Sequence, residues 1–463
     1  MRGSKAQLGS DAMLPLILRM SLPSVAAQMI NLLYSIVDRI FIGHIEGVGR
    51  DALAGVGVTG SVIILITAFS AIVGMGGAPL AAIALGRGDE EGARSILGNG
   101  CTLLILFSIL LSVGVYLFME PILLFTGASA ATIGYASDYL SIYLTGTLFV
   151  LIAVGLNTFV AVQGRPGMAM WAVVLGAVIN ILLDYIFIFQ LDMGVRGAAL
   201  ATVISQGCSA VWVVASLRTR SVALSLRVSQ MALRRSVVLP ILALGVSPFV
   251  MASTEALVGF VLNGSLKQYG DIHISSMAII QSALLMASIP LTGFAQGFTP
   301  IVSYNFGAGN NTRVRECFRY SLLIMGLFNL LLILSMVLSP RVVASLFTND
   351  VELIDLVQQT MPVFLLGMSL FGLQRTCQSM FIALGQAKIS IFIAILRKVL
   401  LLIPLALILP RWMGVMGIYW AETISDATAA VCCISIFAAL FGAILSRNVA
   451  VSQCTILTET EKC

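Results

Sequence analysis

Ala177-Val178-Ile179-Asn180-Ile181-Leu182-Leu183-Asp184-Tyr185-Ile186-Phe187-Ile188-Phe189 is an apolar run interrupted only by an amide and a carboxylate four positions apart, with Tyr185 beside them. On a helix, residues i and i+4 share one face. A carboxylate inside a membrane-length apolar helix costs a few kcal/mol or more on insertion scales, and such groups face a cavity or a partner. This stretch therefore decides two things together: the chain is a membrane protein, and Asn180 and Asp184 are its first candidate site.

The rest of the composition agrees. Of 463 residues, 59% are hydrophobic and 10% charged, and the mean hydropathy is +1.02. Soluble domains are not composed this way, whereas polytopic helical membrane proteins are. The net charge of +5 is no nucleic-acid signal, because the basic residues sit in short loops and are not interleaved with aromatics. The polar Met1–Ala12 leads into a long apolar run without a short h-region and cleavage site, so no cleaved signal peptide is expected. The eight cysteines show no CxxC or Cys/His spacing, which argues against disulfides or a metal cluster. The two histidines, His44 and His273, fall at outer loops and leave little room for histidine chemistry.

Twelve runs of spanning length are read, at 14–43, 52–85, 95–119, 135–162, 168–190, 197–217, 236–265, 273–305, 318–339, 353–384, 388–409 and 415–445. Pro23 and Pro248 lie inside the first and seventh, where a kink is expected. Sixteen Lys and Arg residues lie in loops or termini on one side and five on the other. That asymmetry predicts both termini in the cytoplasm.

The two halves repeat. Pro79 with Gly86-Arg87-Gly88 matches Pro300 with Gly307-Ala308-Gly309, and Gly164 matches Gly385, both at an offset of 221 residues. Met193-Gly194-Val195 matches Met413-Gly414-Val415 at 220, and Pro15 and Pro23 match Pro240 and Pro248 at 225. An even number of spans per copy gives both copies one orientation. The expected fold is an all-α polytopic membrane protein with two six-helix bundles related by a pseudo-two-fold axis along the membrane normal. The expected divisions are an N-terminal bundle 1–217, a connector 218–235, a C-terminal bundle 236–445 and a cytoplasmic tail 446–463. The connector is basic and moderately amphipathic, and is expected to lie on the inner membrane surface.

Leu22-Pro23, the run Ser35-Ile36-Val37-Asp38-Arg39-Ile40-Phe41-Ile42-Gly43, Ala52-Leu53-Ala54-Gly55-Val56, Asn180 to Asp184, and Gly414-Val415-Met416-Gly417 with Ala421-Glu422 form an ordered set. In that order they resemble the MATE multidrug and toxin extruders, most closely the bacterial members, over essentially the whole chain. The resemblance implies a V-shaped pair of bundles that alternates between outward- and inward-open forms. It implies export of amphipathic, cationic drugs or toxins against protons or sodium. It also implies a coupling-cation site at Asp38, Asn180, Asp184 and Thr202.

Depth supports that site independently. Asp38, Asp184 and Thr202 are five or six residues from the outer ends of their spans, roughly 7–9 Å at ~1.5 Å per residue. Three spans thus bring oxygen ligands to one layer, suited to sodium or a shared proton. The competing reading pairs Asp38 with Arg39, but adjacent helical residues point about 100° apart. Apart from sodium there, no metal is expected, and no cofactor.

The second half carries Glu255, Arg375, Arg397, Lys398, Glu422 and Asp426 inside its spans. They read either as a substrate cavity or as a buried ion-pair network, with Asn157, Gln281 and Gln296 as candidate cavity hydrogen bonders. Met251, Met277 and Met286 with Phe249, Phe260, Phe294 and Phe298 are candidate apolar lining or ordinary packing residues. The resemblance places a second acid in the tenth span of one family branch, where this chain has Arg375. The expected protein is a monomeric inner-membrane antiporter with a small amphipathic substrate and no nucleic-acid partner. Other readings are a dedicated natural-product exporter, a lipid-linked glycan flippase, a receptor or channel, and, without a hydrolase constellation, a membrane enzyme.

Overall fold

The computed structural model describes residues 7–219 and 223–460, and the side chains at 255, 256, 260, 263, 271 and 447–460 lie outside that description. The described residues form helices and connecting loops with no strand. Helix is the form in which an apolar spanning segment satisfies its own backbone polar groups. Spans 1 to 3 are Met13–Gly43, Gly49–Gly86 and Glu90–Leu117. Span 4 is the bent pair Ile133–Thr145 and Thr147–Val162, followed by span 5 at Pro166–Gln190 and span 6 at Gly194–Arg218. In the second half, spans 7 to 9 are Arg235–Lys267, Asp271–Gly307 and Asn311–Leu338. Span 10 is the bent pair Val351–Leu365 and Gly367–Ala383, span 11 is Ala387–Met413, and span 12 lies in the helix Met416–Thr460. That last helix continues into the segment read from sequence as a tail.

The repeat is visible in backbone detail. Gly88 and Gly309 have φ of 80° and 70°, Gly164 and Gly385 have 73° and 71°, and Gly194 and Gly414 have 54° and 58°. Only glycine adopts this left-handed region without strain, and here it ends one helix so that the next can turn back. Asp89 caps span 3 by accepting from the Gly92 N–H, and Asn310 caps span 9 by accepting from the Arg313 N–H.

The sequence reading expected spans 4 and 10 to be continuous, and both are broken. Span 4 bends by 61° at Gly146 and span 10 by 42° at Leu366. Closely packed glycines lie at or beside both places. A Cβ on Gly146 would stand 2.6 Å from Val203 Cγ2, and one on Gly367 would stand 2.4 Å from the Thr423 carbonyl oxygen. Side chains take up carbonyls around the breaks. Ser112 donates to Leu144 O, Thr423 to Val363 O and Phe364 O, and Asn329 to Met368 O and Ser369 O. The two prolines, Pro23 and Pro248, sit inside helices that run through them.

The cores do not divide where the sequence does. Met13, Leu16, Ile17 and Met20 of span 1 belong to the hydrophobic core of the second half, and Ile241 of span 7 joins that of the first. Spans 1 and 2 cross spans 8 and 7 at the end of the molecule that carries the chain termini. Span 2 also packs on span 8, and that contact depends on absent side chains: a Cβ on Gly86 would lie 2.0 Å from Tyr304 O, and one on Gly307 2.0 Å from Ile83 O.

The described part of the connector is docked on the first half. Arg94 Nε donates to Ala223 O at 2.9 Å, Thr102 Oγ1 to Met231 O at 2.7 Å, and the Arg234 N–H to Asn99 Oδ1 at 2.8 Å. Its amphipathic pattern buries Leu224 against the first half. The sequence shows the apolar face but not which surface covers it.

Candidate functional site

Spans 1, 4, 5 and 6 converge near the end opposite the termini. Asp38 on span 1 and Asp184 on span 5 bring their carboxyl groups within hydrogen-bonding reach of each other. Asp184 is fully buried, and Asn180, one turn away on the same face, is 1% exposed. Tyr139 of span 4 and Tyr34 of span 1 stand close to Asp38, and the Tyr139 hydroxyl meets the Thr202 hydroxyl of span 6. Of the four residues read from the sequence, Asp38 and Asp184 face each other, Asn180 lies one turn from Asp184, and Thr202 stands beside Tyr139.

Apart from the two carboxyl groups themselves, no hydrogen-bond partner among the described residues reaches Asp38 Oδ1, either Asp184 oxygen, or either polar atom of Asn180. Buried polar atoms in this state are rare and costly. Arg39, the alternative partner for Asp38, is exposed and makes no ion pair with it among the described residues. Two facing carboxylates without a donor attract each other only when a proton or a cation stands between them. Carboxylate, amide and hydroxyl oxygens are hard ligands, so the residues fit a proton or sodium.

Two features of the site were not read from the sequence. Span 5 becomes a π-helix over Tyr185–Gln190, directly after Asp184. Such turns recur at functional sites. Phe189 in that turn meets Phe41 of span 1 edge-on at 5.7 Å, holding the two acid-bearing spans together on the far side of the site. Tyr139 was also missed. Its depth, six residues from the start of its span, matches that of the other ligands and could have found it.

Below the site lies a cavity of about 410 Å³ between the halves. Span 1 lines it with Ser24, Gln28, Asn31 and Tyr34, a stripe at helical spacing whose next member is Asp38. Gly176 and Ala177 of span 5 line it one turn before Asn180. The second half adds Thr292, Gln296, Thr299, Arg375 and Ser379. Gln28 Nε2 donates to Gln296 Oε1 at 3.0 Å across the halves, and Arg375 reaches Thr292 Oγ1 at 3.5 Å. Asn157 also lines the cavity, and its amide donates to Ala169 O at 3.0 Å.

The chain can now be placed by comparison. The MatE family profile matches residues 23–186 and 248–408, most of both halves. The chain belongs to the MatE family. Its members are transporters. Among curated relatives, the multidrug export protein MepA of Staphylococcus haemolyticus (strain JCSC1435) is 24% identical over 410 residues, covering 89% of this chain and 90% of the relative. MepA of Staphylococcus aureus (strain MSSA476) is 25% identical over 415 residues, with the same coverage. Two solved structures share the fold. A multidrug resistance MATE transporter in an outward-facing conformation superposes with a TM-score of 0.88 at 22% identity, covering 96% of this chain and 99% of that one. A MATE structure in a bent conformation gives 0.89 at 23% identity, covering 97% and 100%.

Within this MatE fold, other sequence candidates scatter. Gln281 is half-buried on span 8 and is not among the cavity-lining residues. Glu255 falls on span 7, and its side chain lies outside the described residues, as does that of Phe260. Met277, Phe294 and Phe298 are packed in the core of the second half, and Met286 is exposed and not among the lining residues of this cavity.

Arg397, Lys398, Glu422 and Asp426 form buried pairs away from the cavity lining. Arg397 Nε donates to Asp426 Oδ1 at 2.6 Å, and Lys398 Nζ to Glu422 Oε1 at 2.7 Å. Of the two sequence readings, the ion-pair network describes these four residues, while Arg375 goes to the cavity.

Proposed function

We propose that the protein is a multidrug exporter: a secondary active antiporter that exchanges amphipathic organic compounds for protons, with sodium as the alternative coupling ion. The observation that carries this is the continuity of the cavity with the acid pair. The span 1 stripe runs from Ser24 through Tyr34 to Asp38, so one helix face touches both the cavity and the carboxylates. A compound in the cavity and a cation between Asp38 and Asp184 would then bias the same helices.

In this reading, a proton entering from outside sits between Asp38 and Asp184 and removes the repulsion of two close charges in a low-dielectric setting. Sodium could replace it by using the oxygens of Asn180 and Thr202. Cation arrival draws spans 1 and 5 together, alters the wall at Tyr34 and releases the substrate outward. The cationic preference of the substrate would come from the acid pair beside the cavity, because the described cavity wall carries Arg375 and no carboxylate. We place the protein as a monomer in the cytoplasmic membrane with both termini inside. The bundles are residues 1–217 and 236–445, with 218–235 between them. The names of the MepA relatives support multidrug export.

The test is efflux from proteoliposomes under proton and sodium gradients imposed separately. Export driven by the proton gradient in sodium-free medium is expected. Export that ignores both gradients would end the antiport reading.

A further inference from the structure

The second half holds a charged cluster that neither the cavity lining nor the acid pair of the first half includes. The offset of 220 residues that carries Gly194 onto Gly414 also carries Thr202 onto Glu422. Glu422 therefore stands in span 12 where the coupling-site threonine stands in span 6. One turn on, Asp426 shares its face. Glu422 and Asp426 form a close pair of acids as Asp38 and Asp184 do, and each of the two is 1% exposed. Unlike them, this pair is matched by bases of the chain itself, Lys398 and Arg397.

The local backbone explains how two consecutive residues reach one partner helix. Span 11 is π-helical over Leu396–Leu402. Its wider turn rotates less per residue than an α-helix, so both basic side chains meet span 12. Arg397 is fixed on several sides. Its guanidinium lies 4.7 Å from the centre of the Phe371 ring, its Nη2 is 3.5 Å from Met368 Sδ, and its carbonyl accepts from Ser425 Oγ. Lys398 is placed differently. Its ammonium is a compact point charge on a long stem, and its side chain is 16% exposed against 2% for Glu422, so the lysine is the outer member of the pair. Glu422 Oε2 and Asp426 Oδ2 remain buried without a hydrogen-bond partner among the described residues, as the Asp184 oxygens do.

We propose that Glu422 and Asp426 form a second cation site whose occupant is built into the chain, the Lys398 ammonium standing where the first half takes an exchangeable cation. Cation exchange is thereby confined to one half. The ligand class the site accepts is a small primary ammonium. This stands whether or not the first half couples cations to transport, because the test reads stability.

The test removes the tethered amine and offers a free one. Lys398→Ala is made in an Asp184→Asn background, so that the first-half acid pair contributes no cation response. Thermal unfolding of the purified protein is followed in choline chloride, whose quaternary nitrogen has no N–H, and in methylammonium chloride. Lys398→Ala should melt lower than its parent in choline. Methylammonium should raise its melting temperature saturably, with no such rise for the parent or for Lys398→Ala/Glu422→Ala. Equal melting of Lys398→Ala in the two salts, or melting at the parent's temperature in choline, overturns the proposal. If the variant is not recovered in choline, extraction in methylammonium decides. Recovery there supports a replaceable cation, and loss in both salts refutes it.

Discussion

Asp184→Asn separates a coupling group from a structural one. The substitution keeps the shape and removes one of two facing charges. Two unit charges ~4 Å apart at an effective dielectric near 20 repel by about 4 kcal/mol. The new amide can also donate to Asp38, and a hydrogen bond to a charged group contributes about 1.5–3 kcal/mol. Since the described residues supply Asp184 with no donor, the amide forfeits no protein contact. Asp184→Asn should therefore insert normally and unfold at a temperature no lower than the wild type in cation-poor buffer. It should nevertheless fail to export when a proton or sodium gradient is imposed on proteoliposomes. The comparison is Glu422→Gln, which leaves Lys398 without its acid. Breaking a buried pair from one side costs about 3–5 kcal/mol, so this variant should be less stable while its export per folded molecule persists. Full gradient-driven export by Asp184→Asn would refute the reasoning, and so would inactivity explained by misfolding alone.

Further outcomes follow from the same geometry. Asp38→Asn should lose gradient-driven export as Asp184→Asn does, since either acid alone lacks its facing partner; efflux by Asp38→Asn at the wild-type rate would separate the two roles. Transport should follow an imposed proton gradient without sodium, and dependence on a sodium gradient at fixed pH alone would reverse the choice of ion. Gly367→Ala should lower the unfolding temperature, because its Cβ would meet the Thr423 carbonyl at 2.4 Å and overpacking costs about 1–3 kcal/mol; unchanged melting would show that the span 10 break can relax. Gly86→Val should reduce export by holding spans 2 and 8 apart where a Cβ would lie 2.0 Å from Tyr304 O, and normal efflux would show that this crossing is not needed in the cycle.

Much of this protein is set by local sequence. Apolar runs of spanning length have one economical backbone form in a bilayer, so twelve spans are legible without any tertiary information. The duplicated glycines mark the repeat because a left-handed turn is required wherever the chain stands, and the duplicated prolines mark it from inside matching spans. The acid layer is legible too, since Asp38, Asp184 and Thr202 lie at one depth by counting residues from span ends. Tertiary structure decided the rest. Met13–Met20 packs into the other half's core because span 1 crosses span 8, and no local property of that segment reports the crossing. Spans 4 and 10 break where neighbours touch glycine backbones, which is a property of those neighbours. Arg375 reaches the cavity while Arg397 and Lys398 go to span 12, although all three look alike as basic residues inside spans. A charge buried in an apolar helix must find a partner or a cavity, but which one it finds depends on the helix that the fold puts beside it.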